Sequence, residues 1–149
     1  MKKGQAQQGF TLLESLVVLG ITVLMLSFPS WTIGPAFERL EEEWFFSDLE
    51  SRLEAMQALA IVNGNRSRVD MFISSRQINF QNIGAGHLPL NGRMNLPAHM
   101  AFADTGTYGF YFKGGTGNVS EALTIRFLSN GNPRNMAIQL GSGRYVLYE

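Results

Sequence analysis

The 149-residue sequence contains no cysteine, so a disulfide framework, a thiolate metal site and a cysteine nucleophile are all closed to it. Any exported part must hold itself together by packing. Histidine is scarce: His87 and His99 are the two present, set among Gly, Pro and Leu without clustered carboxylates, which makes them loop or core residues rather than metal ligands or acid–base groups. Net charge is also lacking, at a formal value of 0, which excludes a uniformly basic nucleic-acid protein. No Gly-x-Ser-x-Gly elbow frames a serine, and Gly114-Gly115-Thr116-Gly117 lacks the Gly-Lys-Ser/Thr ending of a phosphate loop, leaving a hairpin turn as its expected role. Repeats at a solenoid period and long low-complexity tracts are absent too. No catalytic residue, cofactor or metal is indicated, and the chain is expected not to be an enzyme.

What the sequence does have is one long apolar run near its start. Residues 1–9 carry Lys2 and Lys3 and no acid, a bias that retains this end in the cytoplasm when an apolar segment follows. Phe10 to Phe28 then holds a single charge, Glu14. A helix of that length reaches ~28 Å, enough to span a bilayer's hydrocarbon. A cleaved secretory signal fits poorly, because Leu26-Ser27-Phe28-Pro29-Ser30 offers no small-residue pair for cutting on the far side. The simplest alternative is a plain membrane anchor whose Glu14 snorkels to the interface.

Gly9-Phe10-Thr11-Leu12-Leu13-Glu14, continued by Ser15-Leu16-Val17-Val18-Leu19, resembles the prepilin cleavage and methylation signature of the type IV pilin and pseudopilin family. A short basic leader, a glycine before the cut, a phenylalanine after it, a glutamate four residues on and a long apolar helix occur together. The resemblance implies that a membrane-embedded prepilin peptidase cuts between Gly9 and Phe10 and that Phe10 is then N-methylated. It further implies that Glu14 pairs with the N-terminal amine of a neighbouring subunit during filament assembly. The chemistry is reasonable: a carboxylate in an apolar helix is costly unless neutralised, and a free amine with a reference pKa of ~7.7–8.0 is largely protonated at neutral pH.

The segment Glu41-Glu42-Glu43-Trp44-Phe45-Phe46 and the stretch from Glu121-Ala122-Leu123 through Gly141-Ser142-Gly143-Arg144-Tyr145 extend the resemblance to minor pilins of competence pili in Gram-positive bacteria. That resemblance implies a single-pass precursor in the cytoplasmic membrane, later found at the cell surface in an extracellular pilus that takes up DNA in transformation. Its implied partners are the major pilin, other minor pilins, the prepilin peptidase, and an assembly ATPase with its platform protein. A type II secretion pseudopilin and a non-polymerising, membrane-anchored binding module stay open as alternatives.

Beyond the apolar run, Pro29, Gly34 and Pro35 predict a kink or unwound stretch. Helical spacing then resumes near Phe37, with Leu40, Trp44, Phe45, Leu49, Leu53, Met56 and Ala60 as a core-facing stripe and Asn63-Gly64 as the stop. Strand patterns follow at 68–73, 77–81, 108–112, 122–128, 135–140 and 144–148, with flexible loops expected at 83–97 and 113–118. The expected fold is α+β: a long N-terminal helix, half membrane-spanning and half amphipathic, packed on a small antiparallel β-sheet head. The corresponding segments are a leader at 1–9, a transmembrane and assembly helix at 10–28, a kink and amphipathic helix at 29–63, and the head at 64–149.

Charge is unevenly divided within the neutral total. Residues 10–63 hold eight acids and two bases, and residues 64–149 hold eight bases and four acids, giving −6 and +4 by subtraction. Arg66, Arg68, Arg76, Arg93, Lys113, Arg126, Arg134 and Arg144 suit DNA phosphates, with Tyr108, Phe110 and Tyr111 nearby in sequence for stacking. The competing readings are contact between a basic head and an acidic helix, simple solvation, and burial of the aromatics in the core.

Overall fold

The computed structural model describes residues 11–27, 29–84, 91–139, 141 and 144–148. The chain divides into two compact units, residues 1–40 and 41–149. In the first, α1 runs Leu12–Ser27 and α2 begins at Pro29. Proline suits a helix start, where its missing N–H leaves nothing unpaired. α1 is sixteen residues of almost entirely apolar sequence, and none of its residues is buried. Thr22 and Ser27 turn their hydroxyls back onto the Val18 and Val23 carbonyls at 2.7 and 2.8 Å, so their polarity is absorbed locally. The expected span of 10–28 reaches beyond the described residues at Phe10 and Phe28; among the described residues no helix is long and apolar enough to cross a membrane.

α2 continues as one helix from Pro29 to Asn63 and contains Pro35, so of the kink or unwound stretch expected there the unwound alternative is corrected. One proline forfeits one hydrogen bond and crowds one turn, a local cost that a long helix absorbs. The remaining elements are strands: β1 (Ser67–Phe72), β2 (Gln77–Asn82), β3 (Gly92–Asn95), β4 (Met100–Phe102), β5 (Thr107–Phe112), β6 (Leu123–Ser129), β7 (Asn132–Ile138) and β8 (Tyr145–Tyr148). They are antiparallel throughout and form two four-stranded sheets, β3-β2-β1-β5 and β4-β6-β7-β8. The α+β class agrees with the sequence reading. β3 corrects the loop expected over 83–97, and β4 was not anticipated.

In the second unit the half of α2 from Glu41 onward joins both sheets in one core. Phe45, Phe46, Leu49, Leu53, Met56 and Ala60 supply the helix side, meeting Val69, Phe80, Phe110, Ile125, Phe127 and Met136 from the strands. Residues of β6 alternate inward and outward, and those of β1 do so except at Asp70, which is buried on the opposite face, so each sheet covers the helix with one face. Trp44 corrects the predicted stripe: it is 74% exposed, and Phe46 takes the buried place beside Phe45. Leu40 is exposed as well.

Turn chemistry fixes the register. Asn130 and Gly131 both take positive φ, 49° and 83°, between β6 and β7. A two-residue hairpin of that sign matches the strand twist, and Asn-Gly tolerates it best. At the end of α2 the Gly115 N–H donates to the Ala60 carbonyl at 2.9 Å, and a Cβ on Gly114 would lie 2.0 Å from the Gly64 carbonyl oxygen. Gly114→Ala is therefore expected to push the loop off the helix end and lower the melting temperature of the full chain by roughly 5 °C or more, read by circular dichroism.

Candidate functional site

Glu14 lies in the first turn of α1, where its N–H donates to Thr11 Oγ1 at 3.4 Å. Its side chain is exposed on a helix that carries no other charge. A negative charge near a helix N-terminus is favoured by the backbone dipoles. No residue of α1 is buried, and helices with apolar side chains on all faces are in general stable in lipid or among other helices. The Glu14 carboxylate is then the one group there able to demand a specific charged partner. Gly9 and Phe10, the expected cleavage and methylation positions, lie outside the described residues.

The acidic side of α2 meets the head of its own chain. Glu42 receives Arg134 Nε at 2.7 Å on one carboxylate oxygen and the Ser129 hydroxyl at 2.7 Å on the other. Glu54 accepts from the Tyr145 hydroxyl at 2.8 Å. His99, with only 7% of its side chain exposed, holds Nδ1 3.6 Å from Glu41. Gln57 donates to the Gly117 carbonyl at 3.0 Å. Nothing local in the sequence announces these contacts, since their partners stand 58 to 92 positions away by the residue numbers.

The cations of the head separate into groups. Arg76 donates to the carbonyls of Pro97, Ala98 and Met100, tying the turn between β1 and β2 to the β3–β4 connection and the start of β4. Arg126 pairs with Asp104 at 3.4 Å and Arg134 with Glu42; Arg144 is exposed just before β8. The other four gather around the outer face of the first sheet. Arg68 stands opposite Gln81 and Tyr111, and Arg93 opposite Asn79, on the side away from the buried Val69, Phe80 and Met94. Arg66 lies over the Tyr111 ring at 4.9 Å, and Lys113, two residues beyond Tyr111, is exposed. Asp70 is the sole acid in these four strands, and it holds Arg68 at 2.8 Å. Phe110 is buried and belongs to the core, as does part of Tyr108.

Two phenols are shifted. Burial, reinforced by Asp104, pushes Tyr108 up to about 12, and burial with the hydrogen bond to Glu54 pushes Tyr145 up to about 12. Both raised values favour the neutral phenol in the folded head. Below pH ~10 the contribution is complete; as pH rises from ~10 towards 12 the unfolded chain ionises first and stability falls. Urea midpoints measured across that window are expected to drop steeply for the wild-type chain and less steeply for Tyr108→Phe.

No protein-family model and no curated protein matches the sequence. Among solved structures, the fold is similar to that of the minor pseudopilin EpsH from the Type 2 Secretion System of Vibrio cholerae. The two share 15% identity with a TM-score of 0.53, over 72% of this chain and 92% of that one. The chain thus has a type IV pilin-like fold, in which the second half of a long N-terminal helix packs on an antiparallel β head.

Proposed function

We propose that the chain is a minor pilin of a competence type IV pilus, resembling ComGD, which is cut after Gly9, N-methylated at Phe10 and built into an extracellular filament for DNA uptake. The observation that carries this reading is the conjunction of Gly9-Phe10 and Glu14 with an apolar α1 of which no residue is buried. The pilin-like fold supports it. In this reading the precursor sits in the cytoplasmic membrane until the prepilin peptidase acts. α1 then leaves the lipid for a bundle of like helices from the major pilin and other minor pilins, driven by the assembly ATPase and platform protein. Glu14 meets the Phe10 amine of a neighbour there, and an unpaired charge penalises every wrong axial register.

A DNA contact by this subunit belongs on the outer face of the first sheet. Arg66, Arg68, Arg93 and Lys113 converge there with Tyr111, against the single acid Asp70. Phosphate binding by such a face falls with salt in proportion to the contacts made. A second reading, a pseudopilin of a type II secretion system, is favoured by the nature of the structural neighbour. Deleting the gene separates the two, since one reading expects lost transformation and the other lost secretion.

Mass spectrometry of the mature N-terminus, with and without the peptidase, tests the core of the proposal. The expected result is a methylated Phe10 terminus when the enzyme is present and an intact Met1 leader when it is absent. A leader still attached in isolated filaments removes the reading.

A further inference from the structure

Each sheet leaves two edge strands, and three of the four edges are blunted. β4 is only three residues long, β3 carries the exposed Arg93, and β5 is bridged at Phe112 by Val119, which itself bridges to Gly141. Short length, charge and covering segments are the usual protections against strand addition. β8, four residues long, carries no charged side chain and has no covering segment among the described residues. It reads Tyr145-Val146-Leu147-Tyr148, with Val146, Leu147 and Tyr148 exposed by 48, 41 and 46%, and among the described residues it pairs only with β7.

The ladder shows which backbone groups are on offer. The Gln139 N–H donates to the Arg144 carbonyl at 2.8 Å, and register continues through Ala137↔Val146 to Asn135↔Tyr148. Antiparallel alternation then turns Val146 and Tyr148 towards β7, and turns the N–H and C=O of Tyr145 and Leu147 towards the outer edge. On the inner side Tyr145 reaches Glu54, and Glu50 stands one turn earlier on the same face of α2. A strand laid along this edge would meet apolar side chains on the outer face and a pair of carboxylates on the inner one.

We infer that the edge of β8 accepts an extended strand from another subunit of the filament, with apolar residues beside Val146 and Tyr148 and at least one Lys or Arg beside Glu50 and Glu54. Main-chain hydrogen bonds supply the affinity, and the alternation of apolar and basic side chains supplies the choice of partner. The inference rests on the filament reading above and adds the place and chemistry of the contact.

The test compares the full-length chain purified alone in detergent with the same chain co-purified with the pilin-like subunits of its host. Amide exchange of the peptide covering residues 144–148 is expected to slow by at least about tenfold in the complex. Leu147→Pro removes one outward N–H while sparing the ladder to β7; it is expected to reduce co-purification by about tenfold with an unchanged melting temperature. If that variant melts early, Glu50→Lys carries the test, repelling a basic strand without touching the ladder, and the same loss is expected. A complex in which residues 144–148 exchange as fast as in the free chain overturns strand addition alone. Failure to form any complex overturns it together with the filament reading.

Discussion

Glu14→Ala is expected to leave cutting after Gly9 intact while lowering the chain recovered from sheared filaments by at least about tenfold, a loss of ~1.4 kcal/mol or more per subunit. The substitution removes a lone carboxylate from an otherwise apolar helix, so the precursor should sit in lipid more comfortably than before. In the proposed filament, what disappears is the attraction to a neighbour's N-terminal amine. Two unit charges ~4 Å apart attract by ~4 kcal/mol at an effective dielectric constant of ~20, and water excluded from a helix bundle screens them little. Glu14→Asp keeps the charge on a shorter stem and is expected to restore part of the incorporation. Quantitative immunoblotting of filament and membrane fractions measures both. Normal incorporation of the alanine variant would remove the pairing role.

Phe127→Ala is expected to destabilise the head by about 3–5 kcal/mol, the range for an aromatic side chain removed from a closed core. Phe127 is fully buried, and its ring centre lies 5.5 Å from those of Phe46 and Phe102 and 5.9 Å from that of Phe45. It therefore joins the helix to the second sheet. Total stability of a domain of this size is only about 5–15 kcal/mol, so the variant should unfold at a much lower urea concentration. Urea titration of the full-length chain, followed by near-ultraviolet circular dichroism, checks it. With no cysteine in the sequence, no disulfide is available to offset the loss.

The helix core was legible because it repeats at the helical period. At ~100° per residue Phe45, Phe46, Leu49, Leu53, Met56 and Ala60 fall within about 100° of arc, whereas Trp44 falls about 150° from its centre and Leu40 about 170°. Working through those angles separates Trp44 from its two aromatic neighbours; spacing of three or four residues alone does not. β3 and β4 were illegible for a different reason. Gly92-Arg93-Met94-Asn95 and Met100-Ala101-Phe102 contain no β-branched residue and are too short for alternation to register, so they exist only because β2 and β6 offer them hydrogen bonds. At the candidate site, Glu14 stands out because its surroundings are apolar. Which arginines share a face depended on strand register, and register is set by pairing between segments tens of residues apart.

The contacts of α2 with the head are distributed along its length. Glu42 grips Arg134 and Ser129 near one end, Glu54 and Gln57 hold Tyr145 and the Gly117 carbonyl further on, and the Ala60 carbonyl takes Gly115 near the other end. From residue 42 to residue 60 this row extends ~27 Å at 1.5 Å per residue. Tension transmitted along the helix axis would load these contacts in shear, all together, instead of peeling them apart one after another. Such a joint suits a part that must be hauled without coming undone.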